Sequence, residues 1–207
     1  MSHHSKHNSN SKVLSPLEDD VISLSLRNVK MTEEDVIHLS GVLSGTITQP
    51  DAVVVDKFQI DMTFAKISCL EPGTWLNDEV INFYSSMLMQ DLAQTTKSRE
   101  IYIFSTFFMS KLYQSGKYRF DLVARWTKKI DIFGLKKVFI PINIANNHWT
   151  LVFIDLTVKT IGYYDAMRGN GSSYMNLTLK VLPSPWRSLF YLYQLIITLS
   201  HRNSCSG

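Results

Sequence analysis

An α+β domain is the fold class this sequence predicts, on two observations. Helix-period segments come first along the chain and a run of strand segments follows, so helices and strands are segregated rather than alternating. The chain has 207 residues, 45% hydrophobic and 12% aromatic, which is enough material for one domain with a substantial core.

Residues 1–45 read as a polar, low-complexity leader rich in Ser, Asn and His, such as MSHHSKHNSNSK. It lacks the apolar stretch of a signal peptide. His3, His4 and His7 could hold a metal loosely, but a polar disordered tail is the favoured reading, because no Cys or carboxylate completes a tetrahedral set. TEEDVIHLSGVL is expected as a short helix capped by Thr32. The compact part begins near DKFQIDMTF. Pro72-Gly73 marks a turn, Asn77 is a fair N-cap, and Asp78 and Glu79 suit the first turn of a helix. Val80, Tyr84, Met87, Leu88 and Leu92 recur at helical spacing, which predicts a core-facing helix.

EIYIFST, from Glu100 to Thr106, has strand composition. FFMSKLYQ and FDLVARWTKKI read as two more helices, with Phe120, Val123 and Trp126 on one face of the second. KKVFIPINI, HWTLVFID and TIGYYD read as strands. Pro141 cannot donate to a ladder, so its strand is expected at an edge or to end there. LFYLYQLIITL, Leu189 to Leu199, is too short for a membrane span of ~20 residues. It is β-prone and uncharged, an aggregation hazard if left uncovered. A formal net charge of +3 gives no basic patch, so nucleic-acid binding is not expected.

His148 opens one strand and Asp165 closes the next. In an antiparallel pair these ends lie side by side. A two-residue loop puts them directly opposite, and a four-residue loop from Leu156 to Lys159 displaces them by two residues. Opposed Cβ atoms lie ~5 Å apart, within reach of a His–carboxylate hydrogen bond. Such a pair is a base and its orienter. It is equally a structural His beside a surface Asp, and spacing alone favours that plainer reading. Asp155 is a rival partner, but it lies ~20 Å along the His148 strand and fits a turn better.

TWLNDEVINFYSSMLM, RWTKKIDIF, HWTLVFID and TIGYYDAMRG, in that order between about Asp56 and Gly171, resemble the SUMO-specific cysteine proteases, the sentrin or ubiquitin-like-protein-processing family. The resemblance implies a papain-like α+β fold of the adenovirus-protease type. It implies a hydrolase, a thiol protease acting in deSUMOylation and in processing of ubiquitin-like proteins. Cleavage would follow Gly-Gly, and no cofactor or metal is needed. His148 would be the general base and Asp165 its orienting acid. Trp75 and Trp149 would cover the channel for the Gly-Gly tail, and Asp78 would contact the body of the ubiquitin-like partner. An aromatic lid over two glycines excludes larger side chains by clash. Without the resemblance, Trp75 and Trp149 read as buried anchors and Asp78 as a first-turn charge. SUMO or a related modifier and its conjugates are the implied partners, with no membrane and no nucleic acid, the chain being a monomer in the nucleus or cytoplasm.

The family's nucleophile lies past the Asp, in a Q-x-N-G-x-D-C-G-like segment where the Cys opens a helix. From Ser172 to Gly207 the chain carries no such segment. These expectations divide it into a leader at 1–45, a protease-like domain at 46–171 that is incomplete at its C-terminal end, and a divergent apolar tail at 172–207. The chain is then a shortened or alternatively ended protease. Cys205 is a weak candidate for the nucleophile: only two residues follow it, so no helix N-terminus can lower its pKa, and Gln194 is eleven residues upstream. Cys69 reads as a small buried apolar residue. Only these two cysteines occur, so no disulfide framework is present and a reducing compartment fits. Activity therefore hinges on a thiol that the sequence supplies in no credible setting. The alternative is an inactive module that still binds SUMO, and a less favoured one is a chain that does not fold stably.

Overall fold

The computed structural model describes Gly41, residues 49–96 and residues 100–192. The rest of the 1–45 leader, the helix expected near residue 32, His3, His4, His7, and everything past 192, including Cys205, lie outside the described residues.

Residues from 49 onward begin with a hairpin of β1 (Val53–Lys57) and β2 (Ile60–Thr63). Its turn residues Phe58 and Gln59 both have positive φ, 59° and 62°. That is the geometry of a tight hairpin turn, which Asn-Gly adopts most readily. Phe58 tolerates it because its ring packs edge-to-face on Phe83, centroids 5.5 Å apart. A single helical turn, α1 (Phe64–Ile67), and a 3-10 turn (Ser68–Leu70) follow.

The long helix α2 spans Asp78–Thr96. Asn77 caps it: its Oδ1 accepts from the Val80 amide at 2.9 Å, and its side-chain amide donates to the Lys66 carbonyl at 2.7 Å. The expected core-facing stripe is not buried as predicted. Only Ser85 is buried along the helix, while Tyr84 and Met87 are exposed. Val80, Tyr84 and Met87 of that stripe instead line an apolar groove of about 710 Å³, together with Val54 and Met62 of the hairpin and Leu76.

The core sits on a four-stranded sheet of order β3-β6-β7-β8, made of β3 (Ile101–Ile103), β6 (Lys137–Ile144), β7 (His148–Asp155) and β8 (Thr160–Tyr164). β3 is parallel to β6, and the other pairings are antiparallel. The strand expected over 100–106 is shorter because Thr106 already precedes helix α3 (Phe107–Leu112). A small hairpin, β4 (Tyr113–Gln114) and β5 (Lys117–Tyr118), leads to α4 (Phe120–Lys128). α5 (Ser172–Leu179) and a further helix, α6, described over 184–192, are the last elements among the described residues.

Period-2 alternation decides which face is covered. Val138, Ile140, Ile142, Val152 and Ile154 point to one side and are buried, with Phe108, Leu112, Val123, Leu182 and Phe190 packed into the same cluster. Each fully buried Val, Leu, Ile or Phe contributes ~1.5–3 kcal/mol from apolar burial. Phe153, on the other face, lies over Gly162 and stacks on Tyr164 with centroids 5.1 Å apart. A Cβ at Gly162 would fall 2.0 Å from the Phe153 ring, so only glycine fits there.

Pro141 lies within β6, a central strand, rather than at a strand end. The physical reason is local. β3 pairs with β6 only at 137–139. The Phe139 carbonyl accepts from the Phe104 amide at 2.8 Å on that side. With the two-residue repeat, the missing Pro141 donor also points to that side, where β3 has already ended.

Candidate active site

The loop between β7 and β8 is the four residues 156–159. The register pairs Leu151 with Tyr164 and Asp155 with Thr160. Extended, it sets Asp165 opposite Thr150, two residues from His148 and on the same face. The His148 ring spans that offset: Nε2 lies 2.6 Å from Asp165 Oδ1, and the two side chains are 14% and 5% exposed. Asp155 is not the partner. Its carboxylate accepts from the amides of Thr157 and Val158 at 2.9 and 3.2 Å and from the Thr157 hydroxyl, as a turn residue does.

Asp165 sits in a cradle that the spacing argument did not anticipate. Oδ1 also accepts the Met167 amide at 2.8 Å, and Oδ2 accepts the Gly169 amide at 3.0 Å and the Tyr163 hydroxyl at 3.3 Å. Burial pushes this carboxyl up, but the hydrogen bond to His148, the two backbone amides and the nearby imidazole outweigh burial and hold it below its ordinary value of 3.8. Asp165 is therefore ionised and can only accept. The proton in the 2.6 Å contact belongs to His148 Nε2, so in the neutral form of the ring Nδ1 is the nitrogen that carries the lone pair. A Cβ at Gly169 would lie 2.4 Å from Asp165 Oδ2, and the Tyr163 ring covers Gly171, where a Cβ would lie 2.0 Å from it. The sequence signal was present in YYDAMRG: a glycine four residues past an Asp permits that approach.

Trp149 reaches the segment that carries Trp75. Trp149 Nε1 donates to the Leu76 carbonyl at 2.8 Å, a contact between residues 73 apart in sequence. It ties the start of β7 to the WLND segment. Trp75 is 62% exposed, so it is not the core anchor its plainer reading required. Asp78, in the first turn of α2, lines a cavity of about 370 Å³ with Thr106, Asn143, Asn146 and Tyr174. Tyr174 stacks on Tyr163, centroids 6.1 Å apart, which joins this cavity to the Asp165 cradle. The buried Asn143 Oδ1 has no hydrogen-bond partner.

The thiol is the element the described residues do not bring to this site. Cys69, the cysteine among them, is buried in the 3-10 turn Ser68–Leu70 and is not hydrogen-bonded to His148.

Comparison with known proteins gives one consistent answer. Residues 74–183 match the model of the Ulp1 protease family, C-terminal catalytic domain, more than half of the chain and twelve residues past Gly171. The chain is 35% identical over 133 residues to sentrin-specific protease 2 of Mus musculus, covering 64% of this chain and 22% of that protein. It is 40% identical over 116 residues to ubiquitin-like-specific protease 1A of Arabidopsis thaliana, covering 53% of this chain and 23% of that one. It thus spans about a fifth of the length of these curated relatives. The fold is similar to the X-ray structure of the C-terminal Ulp1 protease domain in complex with Smt3, the yeast ortholog of SUMO. The TM-score is 0.59 at 29% identity, covering 73% of this chain and 66% of that one.

Proposed function

The chain belongs to the Ulp1 protease family, and from that premise we propose that it carries the acid–base and substrate-holding half of a cysteine-type SUMO peptidase and isopeptidase that cleaves after Gly-Gly. The observation that carries the proposal is the 2.6 Å contact between His148 Nε2 and Asp165 Oδ1, which leaves Nδ1 as the basic nitrogen. In the proposed reaction Nδ1 takes the proton of a thiol. The thiolate attacks the carbonyl carbon of the second glycine, and the tetrahedral intermediate collapses as His148 returns the proton to the leaving amine. Water then hydrolyses the thioester through the same base. Asp165 holds the ring's tautomer and stabilises the imidazolium.

Trp75 and Trp149 act as the lid over the Gly-Gly tail, and the exposure of Trp75 supports a surface role. Asp78 faces the body of the ubiquitin-like partner. The reading carries a nuclear or cytoplasmic setting with it, where a catalytic thiol stays reduced.

The second reading is a binding module that holds SUMO without turning it over. It is favoured by one observation: Cys69, the cysteine among the described residues, is buried and makes no hydrogen bond to the dyad. Reaction of the purified chain with SUMO bearing a C-terminal thiol-reactive group, followed by mapping of the adduct, decides between them. An adduct at Cys205 that forms at least ~100-fold more slowly in His148→Ala establishes the enzyme. No adduct, with SUMO binding that Trp149→Ala abolishes, establishes the binding module. Neither adduct nor binding overturns both.

A further inference from the structure

Away from the His148–Asp165 pair, Lys180 meets Tyr118 of β5, and Arg187 folds back on the connection from α5 to α6 a few residues on. The Tyr118 hydroxyl is buried and has no hydrogen-bond partner, and the same is true of Arg187 Nε. Arg187 Nη2 donates to the Leu182 carbonyl at 3.1 Å, which folds the guanidinium back over the α5–α6 connection. Lys180 caps the C-terminus of α5 and holds its ammonium 5.6 Å above the Tyr118 ring centroid. Among the described residues, neither Lys180 nor Arg187 forms an ion pair.

Buried donors are nearly always partnered. Arg187 Nε can only donate, so the partner it lacks is an acceptor, and the Tyr118 hydroxyl, which can donate or accept, is able to donate to the same group. Two cations without a carboxylate make that acceptor negative. Arg187 also lies in the first turn of α6, where the helix dipole disfavours a cation and favours an anion. Burial raises the Tyr118 hydroxyl above its ordinary value of 10.0, and the Arg187 charge opposes that rise, so the two groups sense each other.

We propose that Tyr118, Lys180 and Arg187 form a binding site for a phosphate-type oxyanion, separate from the proposed protease site. A tetrahedral oxyanion presents several acceptor oxygens at once, which matches a guanidinium, an ammonium and a phenol in one place. The site goes beyond the peptidase reading and does not depend on it.

The test is an NMR titration of the labelled chain with inorganic phosphate against chloride at equal ionic strength, following the Arg187 Nε–H signal. A saturable shift is expected, with affinity about tenfold weaker in Arg187→Gln and about threefold weaker in Lys180→Gln and Tyr118→Phe. If Arg187→Gln fails to fold, Lys180→Gln still decides, because that side chain is exposed. A parallel arm uses O-phosphoserine: tighter binding of the ester identifies a phosphorylated side chain as the source, and tighter binding of phosphate identifies the free anion. No saturable shift up to roughly 100 mM phosphate, or equal affinity in wild type, Lys180→Gln and Tyr118→Phe, overturns the site and leaves a water molecule as the partner of the two donors.

Discussion

The sheet and the N-terminal hairpin use similar residues and reach opposite outcomes. On the sheet, Val138, Ile140 and Val152 are essentially inaccessible, and so are Phe108 of α3 and Val123 of α4, which pack into the same cluster. In the hairpin, every residue of β1 is exposed, including three consecutive valines, and α2 opposite it buries only Ser85. Apolar composition alone therefore does not make a core. A second layer must lie within van der Waals reach, and the helices provide it on one face of the sheet but not over the hairpin groove. The His148–Asp165 pair sits on the closed half, where a rigid register can hold a 2.6 Å contact.

The comparison is tested most severely at Phe108. Phe108→Ala should cost ~3–5 kcal/mol in chemical denaturation, since the ring is fully buried and packed on Phe104 at a centroid distance of 4.0 Å. A cost below ~1 kcal/mol would mean the closed half is not the stabilising half. Gly162→Ala comes next, because its Cβ would force the Phe153 ring away from its stack on Tyr164. Overpacking of that kind costs ~1–3 kcal/mol, measured by the same method.

The third effect is confined to acid. Asp165 has its folded-state value held below that of the unfolded chain. Its contribution is fully present above the unfolded carboxylate value, ~3.9, and is lost as pH falls through the lower folded value. Wild type should therefore lose stability below about pH 4 relative to neutral pH. Asp165→Asn should lose less over the same interval, as read from denaturation midpoints at the two pH values. Parallel losses in both proteins would show that the cradle of Met167 and Gly169 amides does not favour the ionised carboxylate.

How much of this was legible in the sequence depended on whether the signal was local. The β7–β8 offset could be counted, because strand period and loop length are local quantities. The 156–159 loop selects the displaced register, one of the two that spacing allowed. The β1–β2 hairpin was missed because Phe58-Gln59 carries none of the Gly or Asn chemistry that marks a tight turn, and its positive φ is held by a contact to Phe83, distant in sequence. The Pro141 expectation failed for a related reason: an edge is a property of the neighbouring strand's length, which β6's own residues do not encode. His148 and Asp165 were nameable as a pair. The Gly169 and Tyr163 support had only a permissive signal, the glycine of YYDAMRG, because the contacts themselves depend on how the backbone turns after β8.

The smallest expected effect is the most discriminating about the hairpin half. Met87 lies on α2 and lines the open groove, 44% exposed. Met87→Gln keeps side-chain length and nearly the same helix propensity while replacing an apolar end by an amide. On an open groove the amide stays hydrated, so the change should stay within ~0.5 kcal/mol by chemical denaturation. On a covered surface the same amide would be desolvated without a partner and would cost ~1–3 kcal/mol. A result at the upper figure would show that the groove is closed in solution, and the contrast between the two halves would then reduce to which segment does the covering.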